Sequence, residues 1–388
     1  MKKVLFTATV DSHILHFHMP HIQWFKEQGY EVHVASNGAT QLEGVDQKFN
    51  VPFERKPLKV NSWEAYKVLK LLLESNQYDI VHCHTPMGAV LTRLAAKSLR
   101  KEGTKVLYTA HGFHFFKGAP VQNWIIYYPI EKLLASFTDC LITMNEEDFQ
   151  AAHERKFKAT EIKFVHGVGV DLERFQPPTS GRKQALRKEY DISPDDFVMI
   201  YVAELSPRKN QSMLIKVMRE LQEDYPQVKL LLVGKGDLHD QYQAEINQFG
   251  LADKIHLLGY RSDVDKLMQL SDIAVSSSRQ EGLPVNVMEA MATGLPLVVT
   301  ACRGNKDLVH QNVNGYVTEI DDVDTFVEGI QSLASNELLK KRFGRRSIQL
   351  MEAYSLQSVM DELDIIYSTY METDKGTLAK ESPVKILN

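Results

Sequence analysis

Short apolar runs alternate with longer stretches of helical period along nearly the whole chain, and that alternation is the pattern of parallel α/β sheets. In the first half the runs at 4–9, 31–35, 80–82, 105–109, 140–143 and 163–165 read as strands, with helices between them. Residues 86–101 illustrate the helical signal. Pro86 suits a helix start, Val90, Leu91, Leu94, Ala95 and Leu99 form one apolar face, and Arg93, Lys97, Arg100 and Lys101 stand off it. That basic face reads as solvated, with membrane contact as the alternative. At 176–182 the order Gln-Pro-Pro-Thr-Ser-Gly-Arg forbids helix continuation and favours an exposed connection. Beyond it the alternation restarts, with strands expected at 197–203, 229–233, 255–258, 273–276 and 297–300. A chain of 388 residues exceeds one ordinary core, so two doubly wound domains are expected, at 1–176 and 183–353. Such sheets bind ligands beyond the carboxyl ends of their strands, so the chemistry belongs on loops that follow strands. Residues 374–388 read as a flexible tail.

The net charge of −5, from 45 basic and 50 acidic residues, disfavours a duplex-binding protein, and no nucleic-acid partner is expected. Residues 1–175 carry a net +2 and residues 176–388 a net −7, so the first half better tolerates an anionic partner or a membrane surface. Cys83, Cys140 and Cys302 lie far apart with no CxxC pair, which argues against a disulfide framework or structural zinc and for a reducing cytoplasm. The first ten residues resemble the start of a signal peptide, but Asp11, Ser12 and His13 cut the apolar stretch short, and it reads as a first, buried strand. No run approaches the ~20 apolar residues that span a bilayer, so any membrane association is expected to be peripheral.

The most informative segment begins Ser278-Arg-Gln-Glu281-Gly282-Leu283-Pro284 and continues through Glu289 to Gly294 and Pro296. It follows a strand, turns at Gly-Leu-Pro and enters a helix near Pro284, which puts Glu281 at the turn and Glu289 one to two turns into the helix. Backbone N–H groups at that helix start can bind a phosphate. The two carboxylates can hold separate polyol groups of an elongated ligand through charge-assisted hydrogen bonds. The plainer alternative is a surface acid and a helix acid that complements the macrodipole.

This segment, with Glu281-x7-Glu289 at its centre, resembles the donor motif of the family 4 retaining glycosyltransferases of GT-B fold. The resemblance covers almost the whole chain: Gly167-Val-Gly-Val-Asp171 with Phe175, Gly234-x-Gly236, Gly259-Tyr-Arg and Asn312-x-Asn314-Gly315 are similar to that family. Asp11-Ser-His, His16-Phe-His-x-Pro20, the run from Tyr108 through His111 to Phe115, Tyr127-Tyr-Pro-x-Glu131 and Asn145-Glu-Glu-Asp148 resemble its bacterial exopolysaccharide and capsule branch. The resemblance implies two Rossmann-like domains facing a central cleft: an acceptor-side domain at 1–176, a nucleotide-sugar domain at 183–353, and a C-terminal helix at 354–373 crossing back to the first. It implies that Glu289 binds the donor ribose, and that Glu281 with the Gly282, Leu283 and Pro284 turn holds the transferred sugar and diphosphate. It further implies that Lys209 neutralises that diphosphate, and that His111 faces the donor's sugar and phosphate. Tyr260 and Arg261 fall with the donor residues, and Asp11, His13 and His16 with the acceptor side. One departure is Ala203-Glu204, where the family often has Gly-Arg ahead of the lysine. Arg208, on the same loop, is either a compensating cation or a solvated neighbour. A second departure is Asp11-Ser12-His13 in place of a glycine-rich turn after the first strand.

His13, His16, His18 and His21 have a spacing that could suggest a metal cluster, but no acidic or Cys partner completes a ligand set. His18 and His21 are expected to flank a helix start, packing or capping. Asp263-Val-Asp265 and Asp322-Val-Asp324 spell a cation-binding pair of another glycosyltransferase fold; Ser262 and Asp263 are better explained as a helix N-terminus. No metal site and no cofactor are expected. The G-x-S-x-G, P-loop, H-E-x-x-H and full G-x-G-x-x-G templates are absent from the sequence.

The expectation is therefore a retaining glycosyltransferase that moves a sugar from a UDP-sugar to a saccharide hydroxyl. The acceptor is expected to be lipid-linked, on a polyprenyl diphosphate, in exopolysaccharide or capsule synthesis. The enzyme is expected in the cytoplasm, with peripheral contact at the inner face of the cell membrane. No carboxylate is placed as a covalent nucleophile, and the family resemblance implies front-side attack assisted by the departing phosphate. The alternatives are a nucleotide-sugar epimerase of the same fold and a non-catalytic partner subunit that binds donor or polymer. A periplasmic binding protein is weaker still. The sequence sets no oligomeric state.

Overall fold

A computed structural model describes residues 1–54 and 60–371, and the tail expected at 374–388 lies outside them. Thirteen strands are present among the described residues: β1 (Lys3–Val10), β2 (Glu31–Asn37), β3 (Gln47–Asn50), β4 (Ile80–His84), β5 (Lys105–Ala110), β6 (Cys140–Thr143), β7 (Glu161–Phe164), β8 (Phe197–Val202), β9 (Val228–Val233), β10 (Ile255–Gly259), β11 (Ile273–Ser276), β12 (Leu297–Thr300) and β13 (Gly315–Thr318). They form two sheets, in the orders β3-β2-β1-β4-β5-β6-β7 and β10-β9-β8-β11-β12-β13. Each order runs outward from its first strand in one direction and then in the other, the doubly wound arrangement. Pairing in the second sheet is parallel throughout.

The central strands read as unbroken apolar runs because both of their faces are buried. In β8, Phe197, Met199 and Tyr201 join one core, with Leu230 and Leu232 of β9. Val198 and Ile200 point the other way, into a second core with Leu231, Val233, Leu297 and Val299. The period of two thus divides one sequence run between two cores.

Compactness groups the chain differently from a division at 176 and 183. One unit comprises Met1–Cys83, Met87–Leu107 and the segment from Met360 onward; the other comprises His84–Pro86 and Tyr108–Val359. In the first unit, Leu5, Val81 and Val106 from three strands pack against Leu69 and Leu73 of the helix Val60–Asn76. The last helix, Leu356–Met371, sends Tyr367 into this unit, its hydroxyl 3.2 Å from His21 Nδ1 and 3.0 Å from His82 Nδ1.

Some local expectations change. Strands β3 and β13 were not expected: β3 is a polar, half-exposed edge strand, and β13 is short and glycine-led. The helix expected over 86–101 ends at Ala96, and a 3-10 turn occupies Leu99–Glu102. Arg93 is buried there, its Nε donating to the Ala89 carbonyl at 3.1 Å, whereas Leu94 is exposed, so the expected basic face loses one member to the interior. Among the described residues no helix is long and apolar enough to cross a membrane.

Burial of β8 on both faces makes its apolar side chains costly to shorten. Ile200→Ala is expected to lower unfolding free energy by about 2–5 kcal/mol in urea titrations, and a loss below about 1 kcal/mol would contradict the two-sided core.

Candidate active site

Four loops, each following the carboxyl end of a strand, meet within the second unit: 203–210 after β8, 277–284 after β11, 301–304 after β12, and the His111–Gly112 turn after β5. The first two loops carry the residues expected to hold a donor, and the structure brings them together. Lys209 Nζ donates to Glu281 Oε1 at 2.5 Å, and Ser278 Oγ donates to the same oxygen at 2.5 Å. Both members of the pair are buried. Arg208 stays half in solvent, with Nη1 3.6 Å from Glu281 Oε2. Burial and the Glu281 charge together raise the Tyr201 phenol far above its ordinary range and push the Cys302 thiol up to about 12.

The Lys209 loop is fixed from behind. Asn210 takes a left-handed conformation, φ 56°, just before the helix Gln211–Leu221, a position that Asn tolerates. Its amide donates to Asp321 Oδ1 at 3.1 Å, and Arg279 binds both Asp321 oxygens at 2.6 and 2.7 Å. The Arg279 N–H also donates to the Arg208 carbonyl at 2.9 Å, which ties the β8 and β11 loops into one block.

Sequence reasoning missed the residue that joins these loops to His111. Arg303 is buried; its Nε donates to the Glu281 carbonyl at 3.0 Å, its Nη2 to the Phe113 carbonyl at 3.0 Å, and its Nη1 to Asp148 Oδ1 at 2.6 Å. Asp148 accepts in turn from the Phe113 N–H and the Asn145 amide, each at 2.8 Å. Burial raises the Asp148 carboxyl, opposed by the Arg303 charge. The only sequence signal was indirect: Asp148 lay in a segment of family likeness, whereas Arg303 is a lone arginine with no telling spacing.

This strut presses the turns into contact. A Cβ added to Gly282 would lie 1.9 Å from the His111 carbonyl oxygen, and one on Gly112, φ 143°, would lie 2.9 Å from Gly282 Cα. Glycine is required at both positions by close backbone approach. His111 Nε2 lies 3.4 Å from His84 Nδ1. The helix Val285–Ala292 begins beyond Pro284 with no side-chain cap, so its first N–H groups are left for another acceptor. Leu283 reaches the Gly167 turn, where an added Cβ would meet its Cδ2 at 2.8 Å.

Glu289 sits one turn into that helix, half-buried, and its carboxyl makes no hydrogen bond or ion pair with a described residue. Burial pushes it up to about 7, with Arg174 pulling down and Asp265 pushing up. Tyr260 is exposed. Arg261 is engaged internally: it binds both oxygens of Asp263 at 2.8 and 2.6 Å, and the Tyr190 hydroxyl donates to the same carboxylate. Asp263 stands at the start of the helix Val264–Leu270, the N-terminus expected from the sequence; its side chain makes no cap hydrogen bond, and Arg261 holds its carboxyl far below the usual range. Asp265 lies 3.7 Å from Arg174, and Asp322 caps the helix Val323–Ala334 through the Thr325 N–H. Neither Asp-x-Asp pair presents two open carboxylates.

In the first unit, Asp11 is buried and fully engaged. Its Oδ1 accepts from Ser36 Oγ at 2.6 Å and lies 3.0 Å from Lys48 Nζ, and its Oδ2 accepts from the Thr40 N–H at 2.8 Å. Burial raises its carboxyl, but these bonds outweigh that and the net shift is downward. His13 is pushed down to about 4 by burial, with a further contribution from His16, which is exposed and bonded to the Ser12 carbonyl. His18 and His21 are buried in ring contact at 5.2 Å and make no side-chain cap; both pack in the interior, and His21 also meets the Tyr367 hydroxyl.

Residues 3–145 match the family described as Glycosyl transferase 4-like, and residues 182–350 match Glycosyl transferases group 1. EpsD of Bacillus subtilis (strain 168), classed as a glycosyltransferase, is 43% identical over 96% of this chain and 98% of its own. An Escherichia coli enzyme named UDP-Gal:alpha-D-GlcNAc-diphosphoundecaprenol alpha-1,3-galactosyltransferase is 28% identical over 76% of each chain. Among solved structures, Anabaena HepE in complex with UDP and glucose superposes with a TM-score of 0.78 at 18% identity, covering 95% of this chain and all of that one.

Two outcomes follow from this geometry. Arg303→Ala leaves the Asp148 carboxylate buried and unpaired, and is expected to cost about 3–5 kcal/mol in denaturant unfolding; a loss near zero would remove Arg303 as the strut. Glu289 has a folded value near 7, above its ordinary 4.5, so the fold favours its protonated form. Its stabilising contribution is complete below the unfolded value and is lost as pH rises through 7. Glu289→Gln is therefore expected to raise the Tm relative to wild type at pH 8, with the difference vanishing by pH 5. A pH-independent difference would contradict the buried carboxyl.

Proposed function

This chain belongs to the family 4-like glycosyltransferases of GT-B fold, and we propose that it moves a sugar from a UDP-sugar, with retention of configuration, to a hydroxyl of a saccharide carried on a polyprenyl diphosphate. The observation that carries the reading is the buried Lys209–Glu281 pair beside an uncapped helix start. A cation, a carboxylate and free backbone donors are what a sugar diphosphate requires.

In this reading the diphosphate takes Lys209 and the N–H groups beyond Pro284 as partners, and Glu281, released from Lys209, accepts from hydroxyls of the transferred sugar. Gly282 and Leu283 supply backbone to the same group. Glu289 accepts from the ribose hydroxyls, which explains why a half-buried carboxyl is kept without a partner. Arg208 supplies the second cation: it lies within 3.6 Å of Glu281, whereas Glu204, in the family's arginine position, is exposed. Cleavage of the sugar–phosphate bond leaves its electron pair on the phosphate oxygen, and Lys209, Arg208 and the helix start stabilise that charge in place of a metal. The same oxygen takes the acceptor's proton as the new glycosidic bond forms on the face the phosphate leaves. His111, held against Gly282, faces the sugar and phosphate. His13 and His16 are the acceptor-side groups, with Asp11 at the start of the same helix, anchored to Ser36 and Thr40.

The E. coli relative's diphosphoundecaprenol acceptor supports a lipid-linked acceptor, and UDP in the Anabaena structure supports the donor class. Both support a role in exopolysaccharide or capsule assembly, and in our reading the protein works in the cytoplasm at the inner face of the cell membrane.

With a panel of UDP-sugars and lipid-linked acceptors, Lys209→Ala is expected to lower kcat/KM about 10²–10³-fold, the usual loss for one charge-stabilising donor. Activity is expected to survive chelation by EDTA. Near-wild-type transfer by Lys209→Ala would refute the donor-site assignment. Epimerised donor formed without acceptor would favour the epimerase instead.

A further inference from the structure

The helix Val121–Ala135, in the second unit, turns an apolar face to solvent. Val121 is 73% exposed, Ile125 68% and Leu133 63%, and Ile126 and Pro129 are exposed beside them. Their spacing of four or so residues collects them on one side of the helix. This is the reverse of an ordinary surface helix, whose apolar stripe faces a core. Trp124 and Tyr128 lie along one margin, half-buried, with the Arg155 guanidinium 4.6 Å from the Trp124 ring and 5.3 Å from that of Tyr128. Lys132 Nζ contacts the Tyr128 hydroxyl at 3.1 Å.

Five basic residues around this face, Lys117, Lys132, Arg155, Lys156 and Lys158, outnumber the acids Glu147, which accepts from the Lys117 N–H at 2.7 Å, and Glu154. Glu131, the helix's single acid, is buried and accepts from the Tyr108 hydroxyl at 3.2 Å, so the exposed side carries no carboxylate. Lys117 precedes the helix, Lys132 lies on it, and Arg155-Lys156-Phe157-Lys158 runs beside it, with Phe157 packed 6.2 Å from the Tyr128 ring. Glu154 is the one acid of the stretch 154–158.

We propose that this face is a docking surface for an anionic lipid bilayer, into whose headgroup region the protein lowers Val121, Ile125, Ile126, Pro129 and Leu133. A helix of 15 residues is too short to span a bilayer and lies in its plane. Tryptophan and tyrosine at the margin suit the headgroup level, and the surrounding lysines and arginine meet the negative surface potential. Charge decides against a second copy as the occupant. A two-fold contact would set these cationic margins against each other, where a bilayer supplies the opposite sign. The inference stands independently of the donor chemistry, and it gives a lipid-linked acceptor a place of delivery.

Co-sedimentation of the full chain with vesicles of phosphatidylglycerol and phosphatidylcholine tests it, with UDP binding in lipid-free buffer as a separate readout. Ile125→Glu combined with Leu133→Glu is expected to weaken vesicle binding more than tenfold while UDP affinity stays at the wild-type level, since both side chains already face water. Lys132→Glu with Lys156→Glu is expected to weaken binding and flatten its salt dependence. Vesicle binding retained by the Ile125/Leu133 variant would overturn the proposal. So would a wild-type dimer that this variant dissociates without lipid, since the face would then belong to a second copy.

Discussion

One buried guanidinium sets the geometry on which the site depends. Arg303 ties the Glu281 turn to the Phe113 carbonyl and the Asp148 carboxylate, and with that contact three loops from β5, β11 and β12 become one surface. An arginine suits the task because its planar fork satisfies three acceptors in fixed directions, which a lysine does not. The same contact forces the backbones of His111 and Gly282 together, so both turns must use glycine. Buried ion pairs of this kind add little net stability when intact. Their worth here is a defined arrangement, and their removal is costly because one charge is left alone.

On that base the residues proposed to hold the donor are themselves held in place. Lys209 and Glu281 occupy each other, and Arg279 with Asp321 holds the lysine loop through Asn210. In the proposed reading, a pair already desolvated and oriented reorganises little when a diphosphate exchanges for one partner, which is the physical content of preorganisation. Glu289 is the complementary case: its carboxyl is half-buried without a hydrogen-bond partner among the described residues, so the fold loses stability above neutral pH for the group proposed to bind the ribose.

Much of the fold was legible because the central strands bury both faces. Such strands appear as short apolar runs, and β6, β11 and β12 fall where the sequence put them. The edge strands β3 and β13 escaped because a strand with a partner on one side need not be apolar. Of the candidate site, the turn at Glu281, Gly282 and Pro284 and the place of Glu289 in the following helix were readable from one contiguous motif. The contact of Lys209 with Glu281, the strut at Arg303 and the internal pairing of Arg261 with Asp263 were not. Each depends on how loops distant in sequence converge, which no local spacing encodes. Arg93 failed for a related reason: a charged residue on a helical wheel was placed outside, and the fold buries it.

The central claim is that Lys209 answers the diphosphate and Glu289 the ribose. Comparing UDP with uridine separates them. Titration calorimetry of both ligands into wild type and Lys209→Ala is expected to show UDP affinity falling more than tenfold with uridine affinity unchanged. Equal losses for the two ligands, or none for UDP, would contradict the assignment of Lys209 to the diphosphate.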